Sequence, residues 1–110
     1  GHTWLNVEGE NRATVGVMPE FLKTIGIITH LELPRVNDTI SQGEVCGKVT
    51  DRDQFTHRIW SPASGRVVEV NAALLEDYSL LRRSPYNQGF LFRIETSQLE
   101  EDLKGLLQAR

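Results

Sequence analysis

Cysteine is nearly absent from this chain. Cys46 stands alone, so no disulfide can form within it. A single thiol fits a reducing compartment and sets the expectation of a cytoplasmic protein. Lysine is scarce as well: Lys23, Lys48 and Lys104 are the only three, and any side-chain chemistry that needs a primary amine has only those positions. No apolar run approaches the roughly 20 residues that a membrane helix requires, and no signal peptide stands out. Neither sign of charge dominates, the formal net charge being -3. Nothing there draws the chain to phosphate backbones or acidic lipids, so neither nucleic acid nor membrane is an expected partner. The glycines are scattered at turns and do not form a phosphate-binding fingerprint. No Ser-His-Asp grouping and no general acid–base pair can be singled out.

What is present is an ordinary globular composition, with 39% hydrophobic and 25% charged residues over 110 positions. That length predicts one domain, residues 1–110, with one core. The first two-thirds favour strands. Trp4, Leu5 and Val7 precede a turn at Gly9-Glu10-Asn11, and Ala13, Val15 and Val17 follow, which predicts a hairpin. Pro19 suits the first position of a short helix carrying Phe21, Leu22 and Ile25, which Gly26 ends. Ile27 to Leu33 returns to strand. Two similar glycine turns follow, one at Gln42-Gly43 and one at Ser64-Gly65, each flanked by strand-like residues. Short helical pieces are expected near Leu74 and Leu81. Phe90, Phe92 and Ile94 alternate as in a half-buried strand. The end reads as a helix, with Ser97 and Glu100 at capping-box spacing and Leu99, Leu103, Leu106 and Leu107 as its apolar stripe.

Several blocks of sequence carry a resemblance. One is ATVGVMPEFLKTIGIITHLELPRVNDTISQGE, running from Ala13 to Glu44. Another is SPASGRVVEVNAALL, from Ser61 to Leu75, and Ser84-Pro85-Tyr86 and Gly89-Phe90-Leu91 follow it. Together with His2-Thr3-Trp4, their order and spacing resemble the H protein of the glycine cleavage system. The chain starts close to that first motif, where the family usually has several more residues, as expected of a trimmed chain or a piece of a longer protein. The resemblance implies a mainly β fold of the lipoyl/biotinyl type, a barrel-sandwich hybrid with short helices and a C-terminal helix. It also implies two quasi-symmetric halves joined by a hairpin that carries a lipoyl group on lysine.

Here the hairpin departs from the family. After Gly47 the chain reads KVTDRDQFTHRIW. The position matching the attachment lysine is Asp53, or Gln54 if the apparent one-residue insertion falls earlier. Thr50 stands where the family has Glu, and Trp60 replaces a Tyr. Lipoylation forms an amide and needs a primary amine, which Asp, Gln and Arg do not supply; a guanidinium stays protonated. The expectation is therefore a non-catalytic, non-enzymatic domain without lipoate or any other cofactor. It would bind protein partners of a glycine-cleavage-like or lipoate-dependent system, or serve as a structural module. The alternative is a working lipoyl/aminomethyl carrier that uses Lys48, whose ordinary reading is an exposed strand lysine.

Asp51, Arg52, Asp53, Gln54, Phe55, His57 and Arg58 form the candidate interaction tip. A solvated turn with weak surface ion pairs accounts for the charges equally simply, and Phe55 could instead pack inward on Trp60. Cys46, His57 and His30 are too few and wrongly spaced for a metal site. Cys46 has no evident base to make it a nucleophile and reads as a small core residue. Arg82-Arg83 reads as a solvated helix end.

Overall fold

The computed structural model of the protein describes residues 2–96. The predicted C-terminal helix, with Ser97 and the leucines beyond it, lies outside the described residues. The first hairpin is β1 (Thr3–Val7) and β2 (Arg12–Val17). Helix α1 (Pro19–Leu22) starts on its proline and is followed by β3 (Ile28–Glu32). The short β4 (Thr39–Ile40) and the hairpin strands β5 (Val45–Asp51) and β6 (Thr56–Trp60) come next. Then follow β7 (Gly65–Val70), α2 (Ala72–Glu76), α3 (Leu80–Arg83) and β8 (Phe92–Glu95).

The strands make two sheets, one ordered β1-β2-β8-β7-β4 and one ordered β3-β5-β6. Val15, Val17, Val67, Phe92 and Ile94 of the first sheet share one buried cluster with Leu31, Val49 and Ile59 of the second. Alternating apolar side chains, Ala13, Val15 and Val17 of β2 among them, turn one face of each sheet to that cluster, with bulges interrupting the alternation in β3, β5 and β7. Leu91 is also fully buried, which simple alternation about Phe90 and Phe92 does not anticipate. Its amide donates to the Val15 carbonyl at 2.8 Å, so the chain enters β8 already covered on both sides.

The two glycine turns meet. The Gln42 amide donates to Ser64 Oγ at 2.9 Å, Gly43 donates to the Ser61 carbonyl at 2.9 Å, and Ser61 donates to the Glu44 carbonyl at 2.8 Å. Gly43 has φ +84, a left-handed conformation that suits glycine. The repeat seen along the chain is thus a contact in space, at the end of the sandwich away from the β5–β6 turn.

The blocks distant in sequence are tied by polar bonds. Trp4 leans over Gly16, where a Cβ would run into its ring, and its Nε1 donates to the Pro85 carbonyl at 3.2 Å. Asn71 Nδ2 donates to the carbonyls of Gln88 and Phe90 at 2.7 and 2.8 Å. Gly89 is crowded by backbone: a Cβ there would collide with the Leu80 carbonyl and lie 2.7 Å from that of Ser84. Neither carbonyl can swing away as a side chain would, so Gly89→Ala is expected to cost about 1–3 kcal/mol. Chemical denaturation measures this, and an unchanged midpoint would refute the packing argument.

Candidate functional site

The β5–β6 hairpin is built on cross-strand pairs Lys48–Arg58, Val49–His57 and Thr50–Thr56. Val49 and Ile59 are fully buried and anchor both strands in the core. The turn closes at Asp51, whose amide donates to the Phe55 carbonyl at 3.0 Å and whose carbonyl accepts from Gln54 at 3.0 Å. Gln54 takes φ 71, the left-handed turn conformation that a short hairpin loop requires.

Asp51 is not on the candidate surface, which corrects the expectation that it belongs to a solvated cluster. Its side chain is only 6% exposed. It follows Val49 by two residues and therefore shares the inward face. One carboxylate oxygen accepts from the amides of Asp53 at 2.9 Å and Phe55 at 3.1 Å. The other lies 2.9 Å from His57 Nε2. A carboxylate only accepts, so the proton sits on Nε2. The bond from His57, helped by the two amides, holds the Asp51 carboxyl below the usual aspartate range despite its burial. Phe21 of α1 meets the His57 ring edge-on at 6.3 Å, and His2 packs on Phe21 at 4.7 Å. A further brace comes from β3 and the residue before it: the Ile27 carbonyl accepts from the Arg52 amide at 2.9 Å, and Thr29 Oγ1 donates to the Asp51 carbonyl at 3.2 Å. The turn is preorganised by its own carboxylate and by two neighbouring elements.

Arg52, Asp53, Gln54 and Phe55 project from this frame and are exposed. Phe55 is 66% accessible and does not pack on Trp60, which is itself 46% accessible. Arg58 and Lys48 stand exposed on the outer face of the three-stranded sheet, and His57 is half-buried beneath it. Lys48 lies three residues before the strand end, roughly 10 Å along β5 from the turn.

His30 is exposed on β3 opposite Thr50, whereas Cys46 is buried. The two do not converge with His57, and no group of three or more His, Cys, Asp or Glu suited to a metal occurs among the described residues. Burial pushes the Cys46 thiol up to about 12, so at neutral pH it is protonated and is no nucleophile. Arg82 is no solvated helix end. Its guanidinium donates to the carbonyls of Leu22 at 3.0 Å, Ile25 at 3.2 Å and Gly26 at 2.8 Å, tying α3 to the end of α1. Arg83 instead pairs with Asp77 at 2.7 Å.

Two features escaped the reading of the sequence. An apolar cleft of about 290 Å³ lies between Ile27, Ile28, Tyr78 and Arg82, next to the turn through the Ile27–Arg52 bond. Lys48 and Arg58 also face each other directly. The only hint of this was their equal distance from Asp53 at the centre of the turn.

The profile of the family described as Glycine cleavage H-protein matches residues 1–110. The chain belongs to the glycine cleavage H-protein family. It is 35% identical over 108 residues to the glycine cleavage system H protein of Escherichia coli O7:K1, covering 98% of this chain and 82% of that one. The corresponding protein of Streptomyces avermitilis is 31% identical over 102 residues, covering 93% and 81%. In three dimensions the chain is similar to the crystal structure of an H protein from Mycobacterium marinum, with a TM-score of 0.79 and 29% identity, covering 87% of this chain and 79% of that one. The mainly β barrel-sandwich architecture of the H-protein family is thereby shown. The turn of residues 52–55 offers a guanidinium, a carboxylate, an amide and a ring.

Proposed function

We propose that this H-protein family member carries no lipoyl group and works as a non-catalytic protein-binding module. Its partners would be components of a glycine-cleavage-like or lipoate-dependent system, and its contact region the β5–β6 turn. The observation that supports this reading is the turn itself: Arg52, Asp53, Gln54 and Phe55 stand on a hydrogen-bonded frame, none bears a primary amine, and the resemblance puts the family's attachment lysine there. An exposed aromatic ring beside an arginine, on a turn whose backbone is held by hydrogen bonds, has the character of an interface anchor. The buried, protonated thiol suits a reducing compartment such as the cytoplasm.

Lys48 is the remaining route to a carrier. Its amine is exposed, but it leaves mid-strand between Glu32 and Arg58. An attaching enzyme that reads an amine at a tight turn would have to accept a flat sheet face instead. Intact-mass analysis after co-expression with lipoate-attaching enzymes separates the two readings. The expected spectrum holds the unmodified chain alone. A lipoyl adduct that disappears in Lys48→Arg would overturn the proposal and establish the carrier.

A further inference from the structure

The outer face of the β3-β5-β6 sheet places Lys48 directly opposite Arg58. Asp51 donates to the Phe55 carbonyl, so the hydrogen-bonded pairs of this ladder are the alternate ones, Val49 with His57 among them. Lys48 and Arg58 then form a non-hydrogen-bonded pair, the kind in which facing side chains come closest. Like charges so placed oppose folding. Glu32 flanks Lys48 on its other side. Among the described residues, however, neither Lys48, Arg58 nor the exposed Arg52 forms an ion pair. Lys48, Arg52 and Arg58 thus outnumber the two carboxylates of the hairpin, Asp51 and Asp53, of which Asp51 is already bonded to His57.

The same pairing leaves the backbone of Thr56 and Arg58 directed away from β5. Strand β6 is the margin of its sheet, and among the described residues no other strand pairs with it, although Thr3 Oγ1 donates to the Trp60 carbonyl at 3.3 Å and closes that end of the edge. An open edge bearing cations is protected against self-association by charge, and it remains able to pair with an extended segment of opposite charge. Trp60 continues the outer face two residues beyond Arg58 and is exposed beside Val45.

We infer that the free edge of β6 is a docking site for an extended acidic segment of a partner protein. The segment adds as a strand along Thr56 and Arg58. Its carboxylates neutralise Arg58, Lys48 and Arg52, and an apolar residue covers Trp60. This rests on the reading that the hairpin binds partner proteins, and it names the chemistry of the partner.

The test is an NMR titration of the isotope-labelled full chain with a decapeptide of alternating glutamate and valine. Expected are saturable amide shifts centred on Thr56 and Arg58, weakened by salt. Affinity should drop about tenfold or more in Arg58→Glu and by less in Arg58→Gln, and the matching lysine–valine peptide should not bind. The amide spectrum of each variant establishes that it is folded, and Lys48→Glu serves as a second variant on the neighbouring strand. The inference is overturned if the shifts lie elsewhere, if both peptides bind alike, if folded variants bind as the parent does, or if a duplex oligonucleotide displaces the peptide from β6 with higher affinity. Mass analysis of the same sample reports separately on the lipoyl-free reading, so failure of either is recognised by itself.

Discussion

Phe92→Ala is expected to lower stability by about 3–5 kcal/mol, while Phe55→Ala leaves it within about 0.5 kcal/mol. The two residues are the same amino acid, both in or next to strands. Phe92 is fully buried in β8, between the two sheets, and its removal opens a cavity that the strands on either side cannot close. Phe55 is 66% accessible at the turn and has little packing to lose. A domain of this size has only about 5–15 kcal/mol in all, so the first change alone takes a large fraction. The functional consequences run the opposite way. Phe55→Ala should abolish a large part of partner binding, since an exposed ring at the turn is the apolar area a partner would bury. Urea denaturation gives the first comparison and partner capture by each folded variant the second. A stability loss in Phe55→Ala matching that of Phe92→Ala would mean that the ring is structural and the turn is no docking point.

The second large effect is centred on Asp51. Asp51→Ala removes the acceptor for the Asp53 and Phe55 amides and for His57 at once, and leaves the turn without its internal frame. Asp51→Asn keeps an oxygen for the two amides but sets an NH₂ group against the proton on His57. The Ala variant is therefore expected to melt lowest, the Asn variant between it and the parent. Hydrogen exchange at the Asp53 and Phe55 amides should accelerate strongly in Ala and less in Asn. The pH dependence follows from the direction of the shift. The folded carboxyl is held below its unfolded value of about 3.9, so between the two the unfolded chain binds more protons and stability rises with pH. The contribution is complete above about pH 4 and is lost as pH falls through the folded value. Asp77, held low by its bonds from Ser79 and Arg83, adds a similar slope. The diagnostic quantity is thus the difference between parent and variant below pH 4. Identical acid slopes, or unchanged exchange at Asp53 and Phe55, would remove Asp51 from this role.

Much of the architecture could be read along the chain because its signals are local. Pro19 starts α1, Ala13, Val15 and Val17 alternate in β2, and Gly43 turns at positive φ. Leu91 was missed because burial on both faces depends on a neighbour, Val15, far away in sequence. Arg82 was misread for the same reason, since the three carbonyls it binds belong to a segment some sixty residues earlier. Asp51 is a different case. Its spacing of two from Val49 was visible, but a run of alternating charges at a turn outweighed the strand's parity.

By itself the sequence determined the succession of strands along the chain, the likeness to the glycine cleavage H-protein family, and that residues 52–55 include no lysine. A side chain that is not encoded at a position cannot be supplied there by folding. Only the tertiary structure decided which charges on that hairpin are buried and which are exposed. Cross-strand register turned Asp51 inward to hold the turn, left Phe55 in solvent, and set Lys48 beside Arg58 at an open sheet edge. Register is fixed by the packing of Val49 and Ile59 into a core shared with distant strands, so the stretch from Lys48 to Trp60 could not disclose it alone.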